Sequence, residues 1–228
     1  MGRLTVRLFF AYYAIEGCYG TVMSLPIAFT KTERPATPNP WVLSDRTLTV
    51  FYGCPEMPRL SHYFLPRLLF AGRQILYLDG ANQISPLLLA RFARERGVEP
   101  STVNSLIRVA RAFTCFQLTE LVRRVPKTLE RFSADVLIVT ALPDLYFDED
   151  VRDREARASF EHALEGLVNL APLSLSIAIF SDATSFKTKR RDFFQRLRTQ
   201  ADHVVKVEST PENKLSFTRE KHTPLLPA

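Results

Sequence analysis

With 228 residues, 46% of them hydrophobic and 24% charged, the chain can bury one full core and lies outside disordered and membrane-embedded compositions. The formal net charge of +6 favours an anionic partner, but only through where the cations are placed. Three scattered cysteines (Cys18, Cys54, Cys115) and four separate histidines (His62, His162, His203, His222) argue against a disulfide framework or a zinc site, and fit a reducing, cytoplasmic setting.

In chain order, RLTVRLFFAYYAIEGC (3–18) imitates a signal sequence, with a basic start, a short apolar run and a cysteine. Glu16 stands where a small residue is expected, and no run approaches the roughly 20 apolar residues of a spanning helix. Two readings stay open: an ordinary extra element, or an over-extended start with the true one at Met23. The proline-rich KTERPATPNPW (31–41) reads as a linker, so residues 1–41 form an extension and 42–228 the domain.

The domain alternates. TLTVFYG (47–53) predicts a strand, 58–71 a helix, and QILYLDG (74–80) a second strand. Ser85 and Pro86 supply an N-cap and a first-turn proline for a helix ending at Gly97. LIRVARAF (106–113) predicts a third strand, and Leu118, Leu121, Val122, Val125 and Leu129 mark one face of a helix over 115–132. ADVLIVTAL (134–142), a helix over 151–170, LSLSIAIFS (173–181) and a helix over 186–200 continue the pattern. The strands HVVKVES and KLSFTRE close it. Apolar strands alternating with helices predict an α/β fold, a mostly parallel sheet flanked by helices with a short C-terminal antiparallel hairpin. Ligands of such sheets bind at the carboxyl ends of the strands, so the loops 53–60, 79–85, 140–150 and 181–191 matter most.

Four of these segments carry a resemblance to the RecA/RadA-type recombinase core, spanning about residues 47–222. They are YGCPEMPRL (52–60), ILYLDGANQISPLLLARFARERGV (75–98), IRVARAFTCFQLTELV (107–122) and ADVLIVTALPDLY (134–146). In that family the first segment is the phosphate loop G-x-x-x-x-G-K-S/T. Its second glycine frees backbone N–H groups for phosphate, its lysine reaches the β/γ-phosphates, and its hydroxyl holds magnesium. After Gly53, this chain has Pro58, Arg59 and Leu60 at those places, and Pro55 removes another donor. The family's water-positioning carboxylate matches Ala81, and its magnesium-holding strand aspartate matches Thr140. The resemblance therefore implies a RecA-like fold without a recombinase-type ATPase: no catalytic residues, no metal, no cofactor.

The same resemblance puts single-stranded DNA against loops after the central strands. DATSFKTKRRDFFQRLRTQ (182–200) offers Lys187, Lys189, Arg190, Arg191, Arg196 and Arg198, interleaved with Phe186, Phe193 and Phe194. Spacing assigns Phe193, Phe194 and Leu197 to a buried helix face. FDEDVRDREAR (147–157) would repel phosphate at another such loop. Its acids suit a helix N-terminus, with Arg152, Arg154 and Arg157 pairing to Asp148, Asp150 or Asp153 along the helix. Nothing in the spacing makes Cys54, Cys115 or His162 a nucleophile or base, and a surface or capping role suffices for His62. The family polymerises by docking a linker phenylalanine onto the next core. Phe29 lies at a suitable distance, although Thr32 stands where a small residue is usual.

The expectation is an ATP-independent RecA-like accessory protein of DNA recombination or repair. Its alternative is a pseudo-ATPase scaffold that regulates or caps an active recombinase or other ATPase without touching DNA. A third idea is that Arg59 and the rebuilt loop still hold a nucleotide or another anion without hydrolysis.

Overall fold

The computed structural model describes residues 4–5, 43–54, 57–170, 173–209 and 215–222. The extension and linker, including Cys18 and Phe29, otherwise lie outside the described residues, as do Pro55 and Glu56. Eight strands form one sheet: β1 (Leu4–Thr5), β2 (Leu48–Tyr52), β3 (Ile75–Asp79), β4 (Ile107–Arg111), β5 (Val136–Thr140), β6 (Ser176–Ser181), β7 (His203–Ser209) and β8 (Leu215–His222). Their spatial order is β1-β8-β7-β2-β6-β5-β3-β4. From β7 to β4 every pair is parallel, while β8 runs antiparallel to β7 and β1 antiparallel to β8.

β2, β3, β5 and β6 are buried along their whole length, as continuous apolar runs require in a sheet covered on both faces. On one face lie α4 (Cys115–Leu129), α5 (Asp153–Leu170) and α6 (Arg191–Gln200), packed on strand residues such as Val50, Leu78, Val139 and Ile179. On the other lie α1 (Met57–Phe70), α2 (Pro86–Glu95) and α3 (Pro100–Ser105), packed on Phe51, Tyr77, Ile138 and Phe180. Phe51, Phe64 and Phe180 close a ring cluster with centroids 5.0–5.3 Å apart, and this fixes α1 against the sheet.

Local sequence explains most boundaries. Ser85 caps α2 by accepting the N–H of Leu88, with Pro86 as its first residue. Thr114 caps α4 through the N–H of Gln117. Leu118, Val122 and Val125 are buried as the helical period requires, while Leu121 and Leu129 pack at the margin. Two boundaries depart from expectation. α3 has only six residues, too few to show a period, and contributes the buried Val103. The last helix begins at Arg191 rather than 186, because Arg190 is drawn inward before the first turn. Among the described residues no helix is long and apolar enough to cross a membrane.

Candidate functional site at the carboxyl ends of the strands

The connections leave β3 and β5 on opposite faces of the sheet, which opens the ground between their carboxyl ends. Asp79, the last residue of β3, is completely buried there. Its Oδ1 accepts from the N–H of Gln83 (3.0 Å) and the hydroxyl of Thr140 (3.3 Å), and its Oδ2 from the N–H of Ile84 (3.0 Å). Arg111 stands 3.7 Å away. These partners engage both oxygens, so Asp79 shapes the 80–85 loop. Thr140 spans the same ground, since its hydroxyl also accepts the N–H of Ala81 at 3.2 Å. Gly80 is required by this closeness: a Cβ there would lie 2.5 Å from the Thr140 carbonyl.

The segment after β2 is built for packing. Gly53 has φ +120°, and a Cβ on it would meet the Val207 carbonyl at 2.6 Å, so strand β7 alone accounts for the glycine. Pro58 sits in the first turn of α1, where its missing N–H costs no helix bond. Leu60 is 5% exposed and belongs to the core. Ser61 beside it is also buried, bonded to the Pro58 carbonyl (2.5 Å) and the Tyr77 hydroxyl (2.6 Å). Arg59 remains outside, its Nε 3.3 Å from Oε1 of Gln83. His62 corrects the surface or capping role expected of it. Its ring is buried, Nδ1 lies 3.1 Å from the Arg59 carbonyl, and Nε2 has no hydrogen-bond partner. Burial lowers its pKa, aided by the Arg59 charge and opposed by the Arg59 carbonyl, Asp79 and the Gln83 backbone.

Beyond β5 the chain enters a left-handed conformation at Ala141 (φ 59°) and then a short 3₁₀ turn, Asp144–Phe147. Asp144 is buried beneath the end of β6 and accepts from Ser181 Oγ and from the N–H of Asp182, each at 2.7 Å. Burial outweighs these bonds and pushes its carboxyl up to about 7. Burial also raises the Asp182 carboxyl, which the Ser185 hydroxyl bonds. Sequence reading missed both Asp79 and Asp144. Asp79 is an acid closing an apolar strand and Asp144 one in the loop directly after another, and those positions were the available signal.

The basic segment divides into three kinds of residue. Arg190 is a correction. It is 7% exposed and turned inward, with Nε 2.6 Å from Asp153, Nη1 2.8 Å from the carbonyls of Tyr146 and Asp148, and Nη2 2.5 Å from that of Val151. A buried guanidinium with four of its five donors committed to protein oxygens cannot present the two-pronged fork that grips a phosphate. Arg196 and Arg198 are paired with Glu161 (2.6 Å) and Glu220 (2.7 Å), and Arg198 also lies over the ring of Tyr52. Lys187, Lys189 and Arg191 are exposed and form no ion pair among the described residues. Lys189 is near enough to Asp153 to help lower its pKa, after Arg190. Phe193 and Phe194 are core residues, as the spacing implied, whereas Phe186 is half-exposed with its ring 5.7 Å from that of Phe147.

The expected ion pairs along 148–157 do not form as such. Arg157 reaches across to Asp192 (2.6 Å), Asp153 takes Arg190, and Asp148 instead accepts the N–H of Asp150. Asp148, Glu149 and Asp150 remain exposed. Cys54 and Cys115 are buried, and burial pushes the Cys115 thiol up. His162 is exposed on α5. Among the described residues no three His, Cys, Asp or Glu side chains gather as metal ligands. A shallow groove of about 310 Å³ lies between α5 and α6, around the Glu161–Arg196 pair, toward the other end of the sheet.

The fold therefore defines an α/β protein with a mostly parallel sheet and an antiparallel C-terminal hairpin. No protein-family model and no curated protein matches the chain.

Proposed function

We propose that this is an ATP-independent, RecA-like accessory protein of DNA recombination or repair in the cytoplasm. It binds single-stranded or junction DNA through the loop that follows β6. One observation carries the reading: Lys187, Lys189 and Arg191 stand exposed and, among the described residues, without ion pairs at the carboxyl end of the sheet, while Arg190 fastens the loop from within. Fixed cations beside an exposed aromatic, Phe186, are what a sequence-tolerant single-strand contact needs. Leu60 in the core and Pro58 in the helix start support a former phosphate loop now given over to packing.

The test is fluorescence anisotropy with labelled single- and double-stranded oligonucleotides at ~50 and ~200 mM salt, without nucleotide. The triple variant Lys187→Glu, Lys189→Glu, Arg191→Glu should bind single strands at least tenfold more weakly. It should also flatten the salt dependence by about 2 in log–log slope, at ~0.7 per phosphate contact. Unchanged affinity would remove this loop from the mechanism, and no binding at the lower salt would sink the DNA reading. The exposed acids 148–150 favour the second reading, a scaffold that regulates or caps an active recombinase or other ATPase. Co-purification with an ATPase in the absence of DNA affinity would select it.

A further inference from the structure

The acids that follow β5 and the cations that follow β6 are held side by side. The ring of Phe186 lies 5.7 Å from that of Phe147, and the Arg190 guanidinium donates to the carbonyls of Tyr146, Asp148 and Val151. Lys187 and Lys189 stand between these two anchors on one segment, with Arg191 just beyond. Asp148, Glu149 and Asp150 stand between Phe147 and Val151 on the other. An extended arginine side chain and one hydrogen bond set the two backbones about 10 Å apart. Asp144 repeats the link nearer the sheet, through Ser181 Oγ and the N–H of Asp182.

All three acids and all three cations are exposed, and among the described residues none of these acids pairs with any of these cations. From Asp148 to Glu155 the chain carries five acids and two arginines, so the turn stays negative even with Arg190 at its centre. A row of negative charge thus stands about one Debye length from a row of positive charge, close enough to act on any polyanion seated there.

The two forms of DNA meet these rows differently. A single strand has one row of phosphates, which can follow the cations while its unpaired bases turn to Phe186. In a duplex every phosphate row has another on each side, roughly 6 Å away across the minor groove and roughly 12 Å across the major. A duplex seated on the cations therefore brings its second strand toward the acidic turn, whichever groove faces that way.

We propose that Asp148, Glu149 and Asp150 are selectivity residues: they exclude duplex from the basic loop by repelling its second strand, and so reserve the loop for single strands. The inference rests on DNA binding by that loop and names the form of DNA it takes.

The test is anisotropy with a labelled single strand and the duplex of the same sequence, at ~50 and ~200 mM salt, for the wild type and for Asp148→Asn, Glu149→Gln, Asp150→Asn. Asparagine keeps the acceptor that Asp148 offers to the Asp150 N–H, and Asp153 stays in place to hold Arg190. The wild type should prefer the single strand. In the variant, duplex affinity should rise roughly fivefold at the lower salt and single-strand affinity less than about twofold, and the difference should shrink at the higher salt. Glu99→Gln, Glu130→Gln, Glu165→Gln makes the same charge change at exposed acids nearer the amino ends of the strands, and should leave the ratio unchanged. If the first variant melts early, Glu149→Gln, Asp150→Asn decides with a shift of the same sign. Wild-type binding of duplex as tight as of single strand, an equal gain for both forms, no gain, or the same shift in the remote variant would each overturn the proposal and leave the DNA reading standing. A wild type that binds neither form at the lower salt would overturn both.

Discussion

Replacing Arg190 by alanine should destabilise the fold without acting first on any ligand. The guanidinium bridges two loops, with bonds to the carbonyls of Tyr146, Asp148 and Val151 and to the carboxylate of Asp153. Asp153 is 70% exposed, so water replaces its lost partner and that ion pair contributes little. The Tyr146 carbonyl bond is buried, and the other two carbonyl bonds are part-buried. Stranding one buried acceptor and weakening two more costs about 2–4 kcal/mol, from roughly 1–3 per buried unsatisfied group. For a chain of this size that lowers the thermal midpoint by roughly 5–15 °C. Urea unfolding should show a lower midpoint at constant slope. Arg190→Lys should recover less than half of the loss, because an ammonium cannot reproduce the fork. A loss below about 1 kcal/mol, together with a collapse of DNA affinity, would show that Arg190 is a phosphate ligand after all and refute this account of the loop.

Two further outcomes follow from burial. Asp144, pushed up to about 7, holds a proton in the folded chain that the unfolded chain releases above about pH 4, so its share of stability falls as pH rises through that window. His62 has the opposite sign: its pKa is lowered, so its share is present above about pH 6.5 and lost as the pH falls. Urea midpoints from pH 4.5 to 8 should show the upper loss disappear in Asp144→Asn, and a persisting slope would exclude Asp144 as its source. Leu60→Thr, which puts a hydroxyl where a phosphate loop would carry one, should cost about 2–4 kcal/mol because it leaves a cavity and buries an unpaired oxygen. A neutral result in denaturant titration would contradict the core position of Leu60.

Sequence alone determined the alternation of strands and helices, and its reasons are local. Short runs rich in β-branched apolar residues, such as VLIVT (136–140), read as strands buried on both faces, and Ser85 and Thr114 announce helix starts that their own hydroxyls then cap. The 3.6-residue period likewise gave Phe193, Phe194 and Leu197 to the core. Tertiary structure alone decided which charges are available. Lys187, Lys189, Arg190 and Arg191 read alike in one dimension, yet Arg190 is taken by carbonyls about forty residues upstream in the chain, while the other three remain exposed. Asp79 and Asp144 acquire their roles in the same way, from partners on neighbouring strands and loops. The outermost place of β4 was equally hidden, because strand order is a property of long-range pairing and no local pattern encodes which strand is left outermost.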